Sequence, residues 1–433
     1  MNISDKFEAT IVDIGTNGNG VAKKDGVVYF VPFTITGEKI LASVNRIEKN
    51  FCTCTTEKII SPSKNRVSPN CPYFGKCGGC QLQHISKQVQ LEYKTKQVKN
   101  SLEKSLHQKI EVLPCISKNT YHYRNKINFS IANNKLCFSD NQNNFFEVKT
   151  CPLFVCDLTQ IIEIFNNYLI ANTPNLKALH IRLLNNIFQF TFVSNDNVIP
   201  NFNDLINNFK EINLNFSLNF CVNKIKNSSN IMGETKCIYG IEQLEYESFG
   251  VKNKISPASF LQINEPIQNA IYKNINEKIS GSNNVINAYG GTGILSSIVA
   301  KKAKKVYSIE INKQASKNCL EMINANKIKN ITAICGDCKV EIPKILEKEK
   351  ISHIIFDPPR SGIDSSIINC LNKLDINNII YLSCNPATLS RDLKLFSDKY
   401  ELESVQPYDM FPQTYHVETL VFLKRKNIKK NTY

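Results

Sequence analysis

No stretch of the chain approaches the roughly 18 apolar residues that a membrane helix needs. Nor do the opening residues, Met1-Asn2-Ile3-Ser4-Asp5-Lys6, carry the apolar core of a secretory signal. A cytoplasmic location and no membrane partner are therefore expected. That location removes one use for the 16 cysteines, because a reducing compartment does not sustain a disulfide framework. Some of them are expected to be ligands or nucleophiles and the rest packing residues. Acidic residues are also scarce, 38 against 53 lysines and arginines, leaving a formal charge of +15. Such an excess on a folded protein favours a polyanionic partner. The density of asparagine and lysine along the whole chain equally fits a biased genome. With 433 residues, 42% of them hydrophobic, the chain is too long for one ordinary core, and two or three domains are expected.

The residues present are organised around Ile379-Ile380-Tyr381-Leu382-Ser383-Cys384-Asn385-Pro386-Ala387-Thr388. An apolar, β-branched run passes into a small-polar turn, and a helical pattern opens at Ser390-Arg391-Asp392-Leu393. This reads as a buried strand presenting one thiol at its C-terminal edge, where open α/β sheets place reactive groups. A helix start just beyond it is expected to favour the thiolate. Taken alone, Cys384 is more simply a small buried hydrophobe. Its company points elsewhere. Ile354-Ile355-Phe356-Asp357-Pro358-Pro359-Arg360 is a second strand ending in an acid, and His416-Val417-Glu418-Thr419-Leu420 enters a third. Together these three motifs resemble the RNA uracil-5 methyltransferase family, which makes 5-methyluridine in rRNA and tRNA.

From Lys6 to about Ile60, short β-rich runs alternate with turn signals such as Gly15-Thr16-Asn17-Gly18-Asn19-Gly20 and Asp25-Gly26. A small closed barrel is expected over residues 1–62, and the stretch resembles the TRAM domain of RNA-modifying enzymes. RNA binding there rests on that resemblance and on Lys23, Lys24, Lys39, Arg46 and Lys49. Ser61-Pro62-Ser63 and Ser68-Pro69-Asn70 read as a linker.

Next comes a C-x5-C-x2-C run, Cys71, Cys77 and Cys80, with Gly78-Gly79 letting the backbone wrap. Three thiols so close look like one face of a metal or cluster site, and Cys151, in Cys151-Pro152, is the best fourth. Four thiolates suit Zn²⁺ or an iron–sulfur cluster. The resemblance favours the latter. The family's cluster-bearing branch has this C-x5-C-G-G-C-x-x-Q-H pattern and holds a [4Fe–4S] cluster on four cysteines. The central domain is expected over 63–250, with a helix from Ser86 to about Lys109 whose apolar face is Val89, Tyr93, Val98 and Leu102. Tyr121-His122-Tyr123-Arg124-Asn125-Lys126 interleaves aromatic and basic residues, as an RNA-contacting strand or an ordinary surface strand would. Residues 160–250 fit an antiparallel sheet with helices and carry no visible chemistry.

From about Gly250 to the end, strands and helices alternate regularly, which argues for a doubly wound, Rossmann-like sheet over 251–433. Asn287-Ala288-Tyr289-Gly290-Gly291-Thr292-Gly293 is a glycine-rich turn after a strand, a weak signal alone. Glu310 ends the next strand, placed for ribose hydroxyls, and Asp337 ends a third, placed for adenine. With Asp357 and the Gln262 stretch, the series resembles the S-adenosylmethionine site of methyltransferases. The resemblance implies cofactor contacts from Gln262, Tyr289, Gly291, Gly293, Glu310, Asp337 and Asp357. One departure is Asn287, where the family usually has aspartate. It carries no charge for the methionine ammonium.

Carbon 5 of uracil is a poor nucleophile until a thiolate adds at carbon 6, and Cys384 fits that role. Carbon 5 must then lose its proton, and the resemblance gives that task to Glu418. The implied substrate is 23S rRNA in preference to the T-loop uridine of tRNA, handled by a monomer. A non-catalytic RNA-binding or ribosome-assembly factor is the alternative from another class.

Overall fold

Five strands at the start of the chain close on themselves. β1 (Lys6–Ile14), β2 (Gly20–Lys24), β3 (Val27–Val31), β4 (Lys39–Ile47) and β5 (Phe51–Ser61) form a closed barrel in the order β1-β2-β3-β5-β4. Alternate residues such as Phe7, Ile11, Tyr29, Val31 and Ile40 fill its interior. Asp25 and Gly26 both have positive φ, 51° and 76°, the geometry of a primed hairpin turn. These observations come from a computed structural model, which describes residues 2–225, 228–281, 283–374 and 376–426.

The segment read as a linker is docked. Glu38, fully buried, accepts bonds from the Ser63 amide (3.1 Å) and from Arg66 Nε and Nη2 (both 2.7 Å). Burial works to raise the pKa of its carboxyl, but the Arg66, Ser63 and Ile35 bonds outweigh that and hold it below the usual range.

Helix α1 (Lys87–Leu106) buries Tyr93, Val98 and Leu102 as the pattern predicts, and also Gln90 and Lys94. The central sheet follows from β6 (Lys126–Ala132), β7 (Lys135–Ser139), β8 (Phe145–Glu147), α2 (Thr159–Asn172), β9 (Ala178–Leu184), β10 (Ile187–Ser194), α3 (Asn203–Glu211), β11 (Phe216–Val222) and β12 (Thr235–Tyr239). Its strand order is β12-β11-β10-β9-β6-β7-β8. The expected antiparallel pairing is broken once. β10 and β11 run parallel, because α3 lies between them in the chain and carries it back across the sheet. Strands β13 (Leu244–Ser248) and β14 (Val251–Ile255) make a separate hairpin.

The last unit alternates as read: α4 (Glu265–Glu277), β15 (Asn284–Ala288), α5 (Ile294–Ala300), β16 (Lys305–Glu310), α6 (Lys313–Ala325), β17 (Ile331–Cys335), α7 (Cys338–Lys348), β18 (His353–Phe356), α8 (Ser365–Asn372), β19 (Asn378–Ser383), α9 (Pro386–Phe396), β20 (Tyr400–Tyr408) and β21 (Glu418–Arg425). Its sheet has the order β17-β16-β15-β18-β19-β21-β20. The first five of these neighbours are parallel, and β21 is antiparallel to both β19 and β20. Both faces are covered. Val285, Ile355 and Ile380 enter one core and Ile286, Ile354 and Ile379 the other, which is why these strands read as continuous apolar runs. Helix α1 lies against α9, with the Ser101 hydroxyl donating to the Pro386 carbonyl (2.9 Å). No helix among the described residues is long and apolar enough to cross a membrane.

Candidate active site

Strand order reverses between β15 and β18, and in open α/β sheets ligands bind beyond the carboxyl ends of the strands at such a point. Tyr289, Glu310, Asp337, Asp357 and Cys384 follow the ends of β15, β16, β17, β18 and β19. Glu418 reaches the same edge from the opposite direction, because β21 is antiparallel. Ser383 is opposite Thr419 in the β19–β21 ladder, which brings the chain positions of Cys384 and Glu418 to the same end of that ladder.

The electrostatics of that corner differ from the expectation. Cys384 stands just before the Asn385 cap of α9, whose side chain accepts from the Ala387 amide (3.0 Å), yet its thiol is pushed up to about 11. Burial is the main cause and Glu418 adds to it. Arg360 pulls the other way, and Asp357 pushes up again. The charge at the helix start is outweighed. Glu418, 4% exposed, holds its proton well above the ordinary carboxylate range, first through burial and then through Asp357. Asp357 is half-buried at its surface but deep among protein atoms, and burial pushes it up to about 7.

Beside this corner, a crevice of about 90 Å³ is lined by Gln262, Tyr289, Gly291 and Asp357. The other three residues singled out for the cofactor do not line it. Glu310 accepts from the Gly291 amide (2.9 Å) and the Asn312 amide (2.7 Å), fixing the glycine turn. Gly293, at φ 85°, is packed so that a β-carbon would stand 2.4 Å from Cys319 Sγ. Asp337 is exposed and caps α7, accepting from the Lys339 amide (2.9 Å). Asn287 donates to Ser296 Oγ (2.8 Å), which donates to Ser308 Oγ (2.9 Å). Its own Oδ1 is buried without a protein partner. The amide thus braces the turn.

The cysteines converge elsewhere. Cys71, Cys77, Cys80 and Cys151 line one cavity of about 660 Å³ together with Arg124 and Lys126. Burial pushes Cys80 up to about 12, against a bond from Gln83, and Cys151, Cys77 and Cys71 add to the rise. Arg124 acts the other way on Cys77 and Cys151. Among the described residues, no three His, Cys, Asp or Glu side chains are gathered tightly enough for a single metal ion. Phe260 and Leu261 line both this cavity and the crevice.

Comparison with known proteins resolves the family. Residues 86–426 match the model of the tRNA (uracil-5-)-methyltransferases. The chain belongs to this family. It is an S-adenosylmethionine-dependent RNA methyltransferase of the uracil-5 class. An uncharacterized RNA methyltransferase of Caldanaerobacter subterraneus subsp. tengcongensis is 33% identical over 98% of this chain and 99% of its own. Another from Clostridium tetani is 32% identical over 98% and 97%. The crystal structure of Pyrococcus abyssi tRNA (uracil-54, C5)-methyltransferase in complex with S-adenosyl-L-homocysteine superposes with a TM-score of 0.79. It is 25% identical, and 96% of this chain and 99% of that one are covered.

In this methyltransferase, two residues of α4 that carry no motif also face the site. Gln268, 1% exposed, lines the crevice. So does Tyr272, whose hydroxyl feels both Asp357 and Glu418. The only sequence signal was polar residues in step with Ile267, Ile271 and Ile275 on one helix face.

Proposed function

We propose that this enzyme methylates carbon 5 of a uridine through a covalent adduct, with Cys384 as nucleophile and Glu418 as base. The observation that carries the reading is that the Glu418 carboxyl acts on the Cys384 thiol just beyond the last β19–β21 pair, Ser383 with Thr419. The Cys384 thiolate adds to carbon 6 of the ring, and the electron pair moves toward carbon 5. S-adenosylmethionine would supply the electrophilic methyl group, which carbon 5 takes with that electron pair as the methyl–sulfur bond breaks and S-adenosylhomocysteine leaves. Glu418, as carboxylate, then takes the proton from carbon 5, the ring double bond re-forms, and the carbon 6–sulfur bond breaks to return the thiolate. Burial raises the Glu418 pKa, which strengthens its carboxylate as a base once that carboxyl has given up its own proton. Asp357 stands where crevice and corner meet. Gln262, Tyr289 and Gly291 hold the cofactor there, with Gly293, Glu310 and Asp337 shaping the turn and the adenosine end. The base must leave its stack to reach a thiol at this depth.

Cys71, Cys77, Cys80 and Cys151 hold a [4Fe–4S] cluster in this proposal. Four thiols around one cavity, with Arg124 acting on two of them, support that reading. Bound there, it cross-links residues far apart in sequence. The N-terminal barrel is the TRAM domain and binds RNA. All sixteen cysteines are unpaired, as suits a cytoplasmic protein, and the working form is a monomer.

The preferred substrate is 23S rRNA, from the cluster-bearing character of the Cys71–Cys80 run. A tRNA uridine is the second reading, favoured by the resemblance in fold to a tRNA (uracil-54, C5)-methyltransferase. Nucleoside mapping of rRNA and tRNA from a deletion strain tests it. Loss of 5-methyluridine from 23S rRNA is expected, and loss from tRNA alone overturns the preference.

A further inference from the structure

Between β20 and β21, residues 409–417 form no regular structure, yet Asp409, Met410, Gln413, Thr414 and Val417 are each under a tenth exposed. A buried loop must find partners for its backbone, and this one finds them in distant elements. Lys94, fully buried on α1, pairs with Asp409 Oδ1 (2.5 Å) and donates to the Phe411 carbonyl (3.1 Å). Ser117 Oγ donates to Asp409 Oδ2 (3.0 Å) and Asn264 to the Met410 carbonyl (3.1 Å). The Tyr123 hydroxyl donates to the Pro412 carbonyl (3.1 Å). The Gln81 and Leu82 amides both reach the Gln413 carbonyl (3.0 Å each), and Gln90 reaches its side chain (3.1 Å). Gln413 itself sits at φ 70°, a conformation that persists only where its surroundings impose it.

The loop ends on Glu418. Tyr408 opposite Glu418 is the terminal pair of the β20–β21 ladder, the place where a ladder frays first, and Asp409 is the next residue along. Cys384 is held by different means, at the end of β19 beside the cap of α9.

We propose that Lys94 is a positioning residue for Glu418: its buried pair with Asp409 and its bond to Phe411 clamp the loop that fixes the carboxyl beside the substrate carbon. The proposal rests on Glu418 being the base. Loosening the clamp therefore slows proton removal and spares thiol addition. A purely structural role for Lys94 would lower stability and slow both steps alike.

The test is single-turnover methylation of an RNA substrate, with the denaturant-stable protein–RNA adduct and the released product followed separately. Lys94→Met/Asp409→Asn removes the pair without stranding a buried charge. Asp409→Asn alone, which weakens the pair and keeps the Lys94 bond to the Phe411 carbonyl, serves if the double variant fails to fold. Expected is a rise in the adduct-to-product ratio on the order of tenfold, a modest part of what a general base contributes, with adduct formation within about threefold of the parent. Parallel loss of both steps, or an unchanged ratio in a folded variant, overturns the proposal. Glu418→Gln runs alongside. If it traps adduct and the clamp variants do not, only the positioning role falls. If it does not trap, the base assignment falls and takes the positioning role with it.

Discussion

The Glu418 carboxyl acts on the Cys384 thiol, 34 residues away in the chain, just beyond the antiparallel pair of Ser383 with Thr419. In the proposed reaction, addition and elimination then fall to the loop after β19 and to the start of β21. Cys384→Ala should abolish methyl transfer and leave no adduct with RNA. Glu418→Gln should add and methylate, then stall, accumulating a methylated adduct that survives denaturant. Mass spectrometry of both variants after incubation with RNA and S-adenosylmethionine distinguishes them. Adduct in the Cys384→Ala protein, or normal turnover in Glu418→Gln, would remove these residues from the centre.

The resting thiol is predicted to be unreactive near neutrality, since it is pushed up to about 11. Alkylation of the Cys384 peptide should rise about tenfold per pH unit through the neutral range, tracking the thiolate fraction. Glu418 is one of the groups raising that thiol. In Glu418→Gln the profile should move to lower pH. A shift to higher pH would contradict the electrostatic arrangement.

Asp357 makes a stability prediction with a definite sign. Its carboxyl titrates at about 7 in the folded chain, against roughly 3.9 when free. The folded state therefore binds the proton more tightly, and this contribution is fully present below about pH 4 and lost as pH rises through about 7. Asp357→Asn removes the loss. The Tm of the variant relative to the parent, without cofactor or RNA, should climb between those limits and then level off. A flat difference would show that burial does not penalise the carboxylate.

Anaerobically purified protein should be brown and carry about four irons and four sulfides per chain. Cys80→Ser should lose the colour and lower the Tm, because residues 71–80 and Cys151 are then no longer tied together. Colourless protein with stoichiometric zinc would be the contrary result.

Much of the catalytic unit was legible because its strands are short, apolar and punctuated. Asp357, Cys384 and Glu418 each sit where a strand pattern stops or starts, and the barrel announced itself through Asp25-Gly26. What escaped depends on tertiary company. Lys94 on a lysine-rich helix reads as solvated, and nothing local shows that Asp409 waits for it 315 residues away. Gln268 and Tyr272 look like ordinary members of an amphipathic helix. The net balance at Cys384 was hidden for the same reason. A helix start is visible in sequence, whereas the depth of a thiol and its distance from two carboxyls are not. The parallel β10–β11 pair was hidden because alternation sets which residues face inward but not the direction of a neighbour.

Strand β21 is inserted between β19 and β20, although it follows both in the chain. During synthesis, then, the proposed nucleophile emerges with its strand and helix before the proposed base. A chain extended only through α9 can display Cys384 but has nothing beside it to complete a turnover. The inner slot of the sheet belongs to the last of the described strands, and filling it brings Glu418 to the corner. Removing residues from Glu418 onward would thus leave a sheet with an open seam at its reactive edge, and not merely a shorter protein.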